Sequence, residues 1–176
     1  MFRASCLFAA LLASTTSRAE LGLHLEQQLG TPAPTGFESV VAPDGTGAPP
    51  GSGTVSEGKV LYEKFCASCH GLDGQLQGNA IAGGIGSLTT NRPYKTVGSY
   101  WPFATTVFDY INRAMPYGDE KSLSPDQVYA VTAYVLYLSS IVTVDMILNA
   151  DNLADVEMPN KNGFETLPGF KPASPH

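Results

Sequence analysis

Cys66-Ala67-Ser68-Cys69-His70 is the stretch that decides how the rest of this chain is read. Two thiols two residues apart, with a histidine directly after the second, form the attachment signature of a c-type haem. The spacing has a geometric reason. Each cysteine adds across one vinyl group of the porphyrin, and two intervening residues let a single turn of backbone reach both. His70 then falls beneath the ring, where its imidazole binds the iron from the proximal side. Two blander readings compete. A thioredoxin-like Cys-x-x-Cys pair wants a βαβ setting, which the flanking sequence lacks. Half a zinc site wants a second pair of cysteines, and the remaining one, Cys6, stands alone near the start. Covalent haem, held by Cys66 and Cys69 and ligated by His70, is the reading carried forward.

Immediately upstream, a helix is expected to start near Thr54 to Glu57 and run through Leu61, Tyr62 and Phe65 to the cysteines. Thr54-x-x-Glu57 is a capping box; Ser56 is a rival cap with Val55 and Val60 as its staple. Gly58 inside this helix costs about 1 kcal/mol relative to alanine, which makes sense where another helix crosses at close range. Downstream, Gly71, Gly74, Gly78, Gly83, Gly84 and Gly86 describe a loop able to follow a haem edge. Ile81, Ile85 and Leu88 are expected to cover the proximal face. Arg92, Tyr94, Lys95, Tyr100 and Trp101 are donors suited to haem propionates, although Trp101 serves equally well as core filling.

A second helix is expected from about Pro102 to Arg113 or Ala114, with Val107, Phe108, Ile111 and Met115 near helical spacing and Pro116 as its stop. The clearest helix start follows: Ser124 as N-cap, Pro125 at the first helical position, Gln127 three residues past the cap, and Leu123 with Val128 as staple. No charge occurs over 128–144. That length is at the short end of the roughly 17–25 residues a membrane span needs, and Thr132, Ser139, Ser140 and Thr143 interrupt it, so a buried helix is expected instead. A short helix is expected around Met146 to Leu148. For the sixth iron ligand, Met115 is best placed, at a helix end fixed by Pro116. Met158, also followed by proline, is the alternative, while His24 reads as a surface residue.

The start of the chain reads as a cleavable secretory signal over 1–19. Arg3 makes it positive, 4–13 is small or apolar, and Ser17-Arg18-Ala19 offers a cleavage site. Residues 20–53 read as an irregular arm rich in proline and glycine, 54–148 as the haem domain, and 149–176 as a tail. Formal charge is −6; losing Arg3 and Arg18 leaves 8 basic against 16 acidic residues, or −8. That sign excludes a nucleic-acid partner, because phosphate neutralisation needs lysine and arginine. The expected mature protein has no transmembrane segment and no disulfide, since both remaining cysteines are committed to haem.

Taken together, Gly58, Tyr62, the 66–70 motif, Met115-Pro116 and the aromatic C-terminal helix resemble class I cytochromes c. The resemblance implies a mainly α fold around one covalent haem c, with first and last helices crossing at a glycine and an aromatic pair, here Gly58 with Tyr62 and Tyr134. Longer strings are more specific. Pro43-Asp44-Gly45-Thr46-Gly47, 49–53, 95–102, 108–116 and Met158-Pro159-Asn160 resemble the SoxD-like cytochrome subunits of sulfane or sulfite dehydrogenases. These accompany sulfite-oxidase-type molybdenum enzymes in sulfur-oxidising bacteria. One CxxCH motif matches a monohaem form. Where class I cytochromes place a proline whose carbonyl accepts the proximal histidine's ring proton, 83–88 has none.

The resemblance implies a periplasmic electron-transfer protein, not an enzyme by itself. Its partners would be a molybdoenzyme subunit and a downstream cytochrome c or oxidase. A free-standing cytochrome shuttle and a haem-based sensor or gas binder are the competing functions. The arm and tail favour a fixed partner, and Met115 argues against an open sixth position.

Overall fold

The computed structural model describes residues 40–165 and 168–169; the expected signal segment, most of the arm and His24 lie outside them. The elements run β1 (Ser52–Thr54), α1 (Val55–Phe65), α2 (Ala67–His70), a 3-10 turn (Ser87–Thr89), α3 (Val97–Tyr100), α4 (Ala104–Ala114), α5 (Pro125–Leu138), β2 (Ile147–Asn149) and a 3-10 turn (Leu153–Asp155). The fold is therefore mainly α, as expected, with one small sheet that the sequence reading missed.

Helices α1 and α5 begin where side chains satisfy the free backbone N–H groups, whereas α4 starts after Phe103 with no side-chain cap. Thr54 caps α1: its hydroxyl accepts from the Glu57 N–H at 3.1 Å, while the Glu57 carboxylate accepts from the Thr54 N–H at 2.9 Å. Ser56, the rival cap, lies inside the helix, and its staple partner Val60 is 67% exposed. At α5 the reading held in detail: Ser124 and Gln127 close a second capping box, Pro125 takes the first turn, and Leu123 and Val128 are both buried. The helix then ends early for an uncharged stretch of that length. Ser140 adopts φ +56°, its N–H donates to the Tyr137 carbonyl, and the Ile141 N–H donates to that of Leu136. This is the paired closure of a helix ended by a left-handed residue. Val128 to Leu136 are all buried, which explains the missing charges without a membrane. Among the described residues no helix is long and apolar enough to cross one.

Two expected helices are corrected. Residues 146–148 do not form a helix; Ile147–Asn149 is a strand antiparallel to β1, with Ser52 opposite Asn149 and Thr54 opposite Ile147. The second helix starts not at Pro102 but at Ala104, because Trp101 and Phe103 are extended and Thr96 has already opened a separate single turn, α3. That turn has its own capping box, with the Thr96 hydroxyl accepting from the Ser99 N–H at 3.1 Å.

The core forms where α1 crosses α5. A Cβ added at Gly58 would collide with the Ala130 carbonyl and come within 2.9 Å of the Tyr134 Cβ, so the two backbones meet where side chains are absent. Tyr62 and Tyr134 pack one turn further along, ring centres 5.1 Å apart at 56°. Gly53 makes a second close approach to the Ala130 backbone. From outside the expected haem domain, Val41, Leu153 and Met158 join the same core. The last part of the arm is also tied down by polar contacts. Asp109 accepts from the Val41 N–H at 3.1 Å, Tyr129 donates to the Pro49 carbonyl at 2.8 Å, and Asp126 accepts from the Ser52 N–H at 2.8 Å.

Candidate haem site

The end of α1 and all of α2 carry the attachment motif to the wall of a cavity of about 670 Å3, within the ~300–1,000 Å3 range of small-molecule and cofactor sites. Cys66, Cys69 and His70 line it, as do Met115 and Pro116 from the end of α4. The apolar lining comes from Phe65, Ile81, Val107, Ile111, Val131 and Val135. Tight turns bring the cysteines round: the Cys69 and His70 N–H groups both donate to the Cys66 carbonyl, at 3.1 and 3.0 Å. Neither cysteine is in a disulfide. Burial pushes the Cys66 thiol up to about 11, with Cys69 adding to the shift. A wall that penalises a thiolate accepts a neutral thioether without that cost.

The proximal histidine finds the partner that the missing proline left open. His70 Nδ1 lies 2.7 Å from the Asn79 carbonyl oxygen. A carbonyl only accepts, so Nδ1 carries the proton and Nε2 keeps its lone pair for a metal. Tyr62, also on the cavity wall, donates its hydroxyl to the Gly71 carbonyl at 2.9 Å. Burial above all, then Cys66, Tyr134 and Asp73, holds its phenol protonated well above the ordinary range. That bond ties the glycine loop to α1 just past the motif.

Of the expected propionate donors, Tyr100, Trp101 and Lys95 line the cavity. Trp101 also packs edge-on against Tyr110 at 5.5 Å. Arg92 is not brought there: it lies exposed on the loop after the 3-10 turn, its N–H donating to the Thr90 hydroxyl. Tyr94 likewise stays outside the lining. Of the residues expected to cover the proximal face, Ile81 does so, whereas Ile85 is 49% exposed and Leu88 is not on the wall. Met158, the alternative sixth ligand, is buried in the core and is not among the residues that line this cavity. Asn79 and Tyr117 belong to the site and were not singled out from sequence. A backbone carbonyl has no residue-type signature, and Tyr117 only follows the Met115-Pro116 pair.

The donor set suits a covalently tethered haem: two thiols, an imidazole with its outer nitrogen fixed, a neutral thioether, an apolar slot, and phenol and ammonium groups for carboxylates. A cytochrome c family model matches residues 55–139. The crystal structure of the sulfane dehydrogenase SoxCD from Paracoccus pantotrophus contains a chain similar to this one, at 41% identity and a TM-score of 0.73. The likeness covers 81% of this chain and 77% of that one. No curated protein matches. With a haem cavity built on its attachment motif and this likeness across most of its length, the chain belongs to the cytochrome c family, as a class I cytochrome resembling the SoxD-like subunits, and its cofactor is covalent haem c.

Proposed function

We propose that this electron-transfer protein is the electron-accepting subunit of a molybdenum-dependent dehydrogenase that oxidises sulfite or another sulfur compound, working in the periplasm after removal of residues 1–19. One observation carries the reading. The family model stops at 55–139, yet the likeness to a SoxCD chain spans 81% of the protein. It therefore includes residues that a minimal haem domain does not need, and residues shared outside the haem domain fit a shared partner.

Bound haem supplies a one-electron couple, and the chain sets the conditions for it. Cys66 and Cys69 would tether the porphyrin, and His70 would offer Nε2 to the iron because the Asn79 carbonyl holds the proton on Nδ1. Met115, on the cavity wall, would hold the iron as its second protein ligand, and a thioether there would favour Fe(II) and raise the potential. The apolar lining keeps water from competing for that position. Electrons taken one at a time from the molybdenum subunit then pass to a cytochrome c or an oxidase.

The test is reduction of the purified holoprotein by a purified sulfite-oxidase-type molybdoenzyme, with sulfite and thiosulfate as substrates in turn. Substrate-dependent reduction in stoichiometric complex supports the reading. Reduction only by unrelated cytochrome donors would leave a free-standing shuttle.

A further inference from the structure

We propose that the turn after Met158 is a strap that sets the haem potential by fixing Tyr100 and Lys95 at the cavity wall. The inference rests on haem occupying that cavity and is independent of which enzyme donates the electron. Met158, 3% exposed, anchors the near end of the strap in the core. The chain then turns, with the Lys161 N–H donating to the Met158 carbonyl and the Gly163 N–H to that of Asn160, at 3.1 and 3.0 Å. A Cβ at Gly163 would meet the Asn160 side chain and force that amide to shift.

Two contacts leave this turn for one residue. Asn160 Nδ2 donates to the Tyr100 carbonyl at 2.7 Å. That carbonyl lies at the last residue of the four-residue α3, where backbone acceptors have no partner within the helix, so the amide closes the turn from outside. Phe164 then sets its ring against that of Tyr100, centres 5.2 Å apart at 65°. A third group completes the stack: Lys95 Nζ sits over the Tyr100 ring, 4.7 Å from its centre. Tyr100 and Lys95 both line the haem cavity, whereas Asn160 and Phe164 do not. The strap therefore reaches the site through Tyr100 and the Lys95 ammonium above its ring.

The direction of the effect follows from charge. Reduction removes one positive charge from the iron, so a nearby ammonium or phenol donor that offsets propionate charge favours Fe(II). A cation on an aromatic face is held by about 0.5–1 kcal/mol at exposed sites, too little to fix Lys95 if the ring beneath it turns freely. Phe164 and Asn160 limit that freedom by holding the ring edge and the backbone. Asn160 and Phe164 are thus positioning residues for the potential.

The experiment is spectroelectrochemical titration of the holoprotein at fixed pH and ionic strength. Phe164→Ala should lower the Fe(II)/Fe(III) ratio at a given applied potential about threefold, or about 28 mV for a one-electron couple. Phe164→Tyr, which keeps the ring edge, should restore the wild-type value. Lys95→Gln should lower the potential at least as far, and adding Phe164→Ala to it should lower it no further. Haem staining on a denaturing gel and the spectrum of the oxidised protein should match wild type in both Phe164 variants. An unchanged potential in Phe164→Ala, or additive effects of the two substitutions, would overturn the strap. So would loss of haem from Phe164→Ala, since Phe164 would then support the core and not the potential.

Discussion

Single atoms bear on the two ends of the coordination axis proposed for the iron. On the proximal side, the Asn79 carbonyl fixes the imidazole tautomer, a job any residue type at that position can do. On the distal side, the two proline-followed methionines have different surroundings. Met115 lines the cavity, and Met158 is packed into the core. Their alanine variants should therefore fail differently. Met115→Ala should abolish the methionine-to-iron charge-transfer band of the oxidised protein and admit carbon monoxide, with little change in folding. Met158→Ala should keep that band and lose about 2–5 kcal/mol of stability to the space it leaves, read by denaturant unfolding. If Met158→Ala alone loses the band, the assignment is reversed.

Helices and strands meet at two glycines that a side chain would force apart. By helix propensity alone, Gly58→Ala would stabilise α1 by about 1 kcal/mol. The Ala130 carbonyl occupies the space the new methyl would need, so the substitution should instead destabilise by about 1–3 kcal/mol or more. A raised melting temperature would show that the crossing can widen without cost. The Thr54 cap gives a second, pH-dependent test. Bonds from the Thr54 hydroxyl and N–H hold the Glu57 carboxyl below its ordinary value. A group lowered in the folded state contributes above its unfolded value, and the contribution fades as pH falls through the folded one. Thr54→Ala should thus lower Tm at neutral pH, and by less once both forms are acidified below the carboxylate range. The strand pair also changes what a truncation can show. Read as a loose arm, residues 20–53 look removable with the haem spectrum intact. Yet deletion through Gly53 takes away Val41 and most of β1, so it should impair folding and haem loading together.

Across the whole molecule, charge and the surface around the cavity govern encounter. A chain of formal charge −6 attracts a basic partner surface over distances set by ionic strength. Raising salt from 10 to 150 mM shortens the screening length from about 30 to about 8 Å. The second-order rate of reduction by the dehydrogenase should fall across that range, measured by stopped flow. A flat profile would mean that docking depends on apolar contacts, for which Tyr117 at the cavity mouth, 89% exposed, is the first residue to replace.

Local chemistry was legible without a structure. The haem motif is contiguous, so its spacing alone states the reaction. Thr54, Ser124, Pro125 and Gln127 fix their helix starts by bonds reaching only three residues, and an interior glycine such as Gly58 signals a close crossing wherever its partner lies. What depended on distant segments was not legible. Met146 to Leu148 reads as a helical turn until Ser52–Thr54 offers Ile147–Asn149 a backbone partner. Pro102 suits a first helical turn until Thr96 opens one earlier. Met115 and Met158 are both followed by proline and are told apart by which lines the cavity with His70 and which is buried in the core. Arg92 has the charge to meet a propionate, but the loop that carries it runs along the surface. In each case the residue type allows several environments, and packing between segments far apart in sequence selects one.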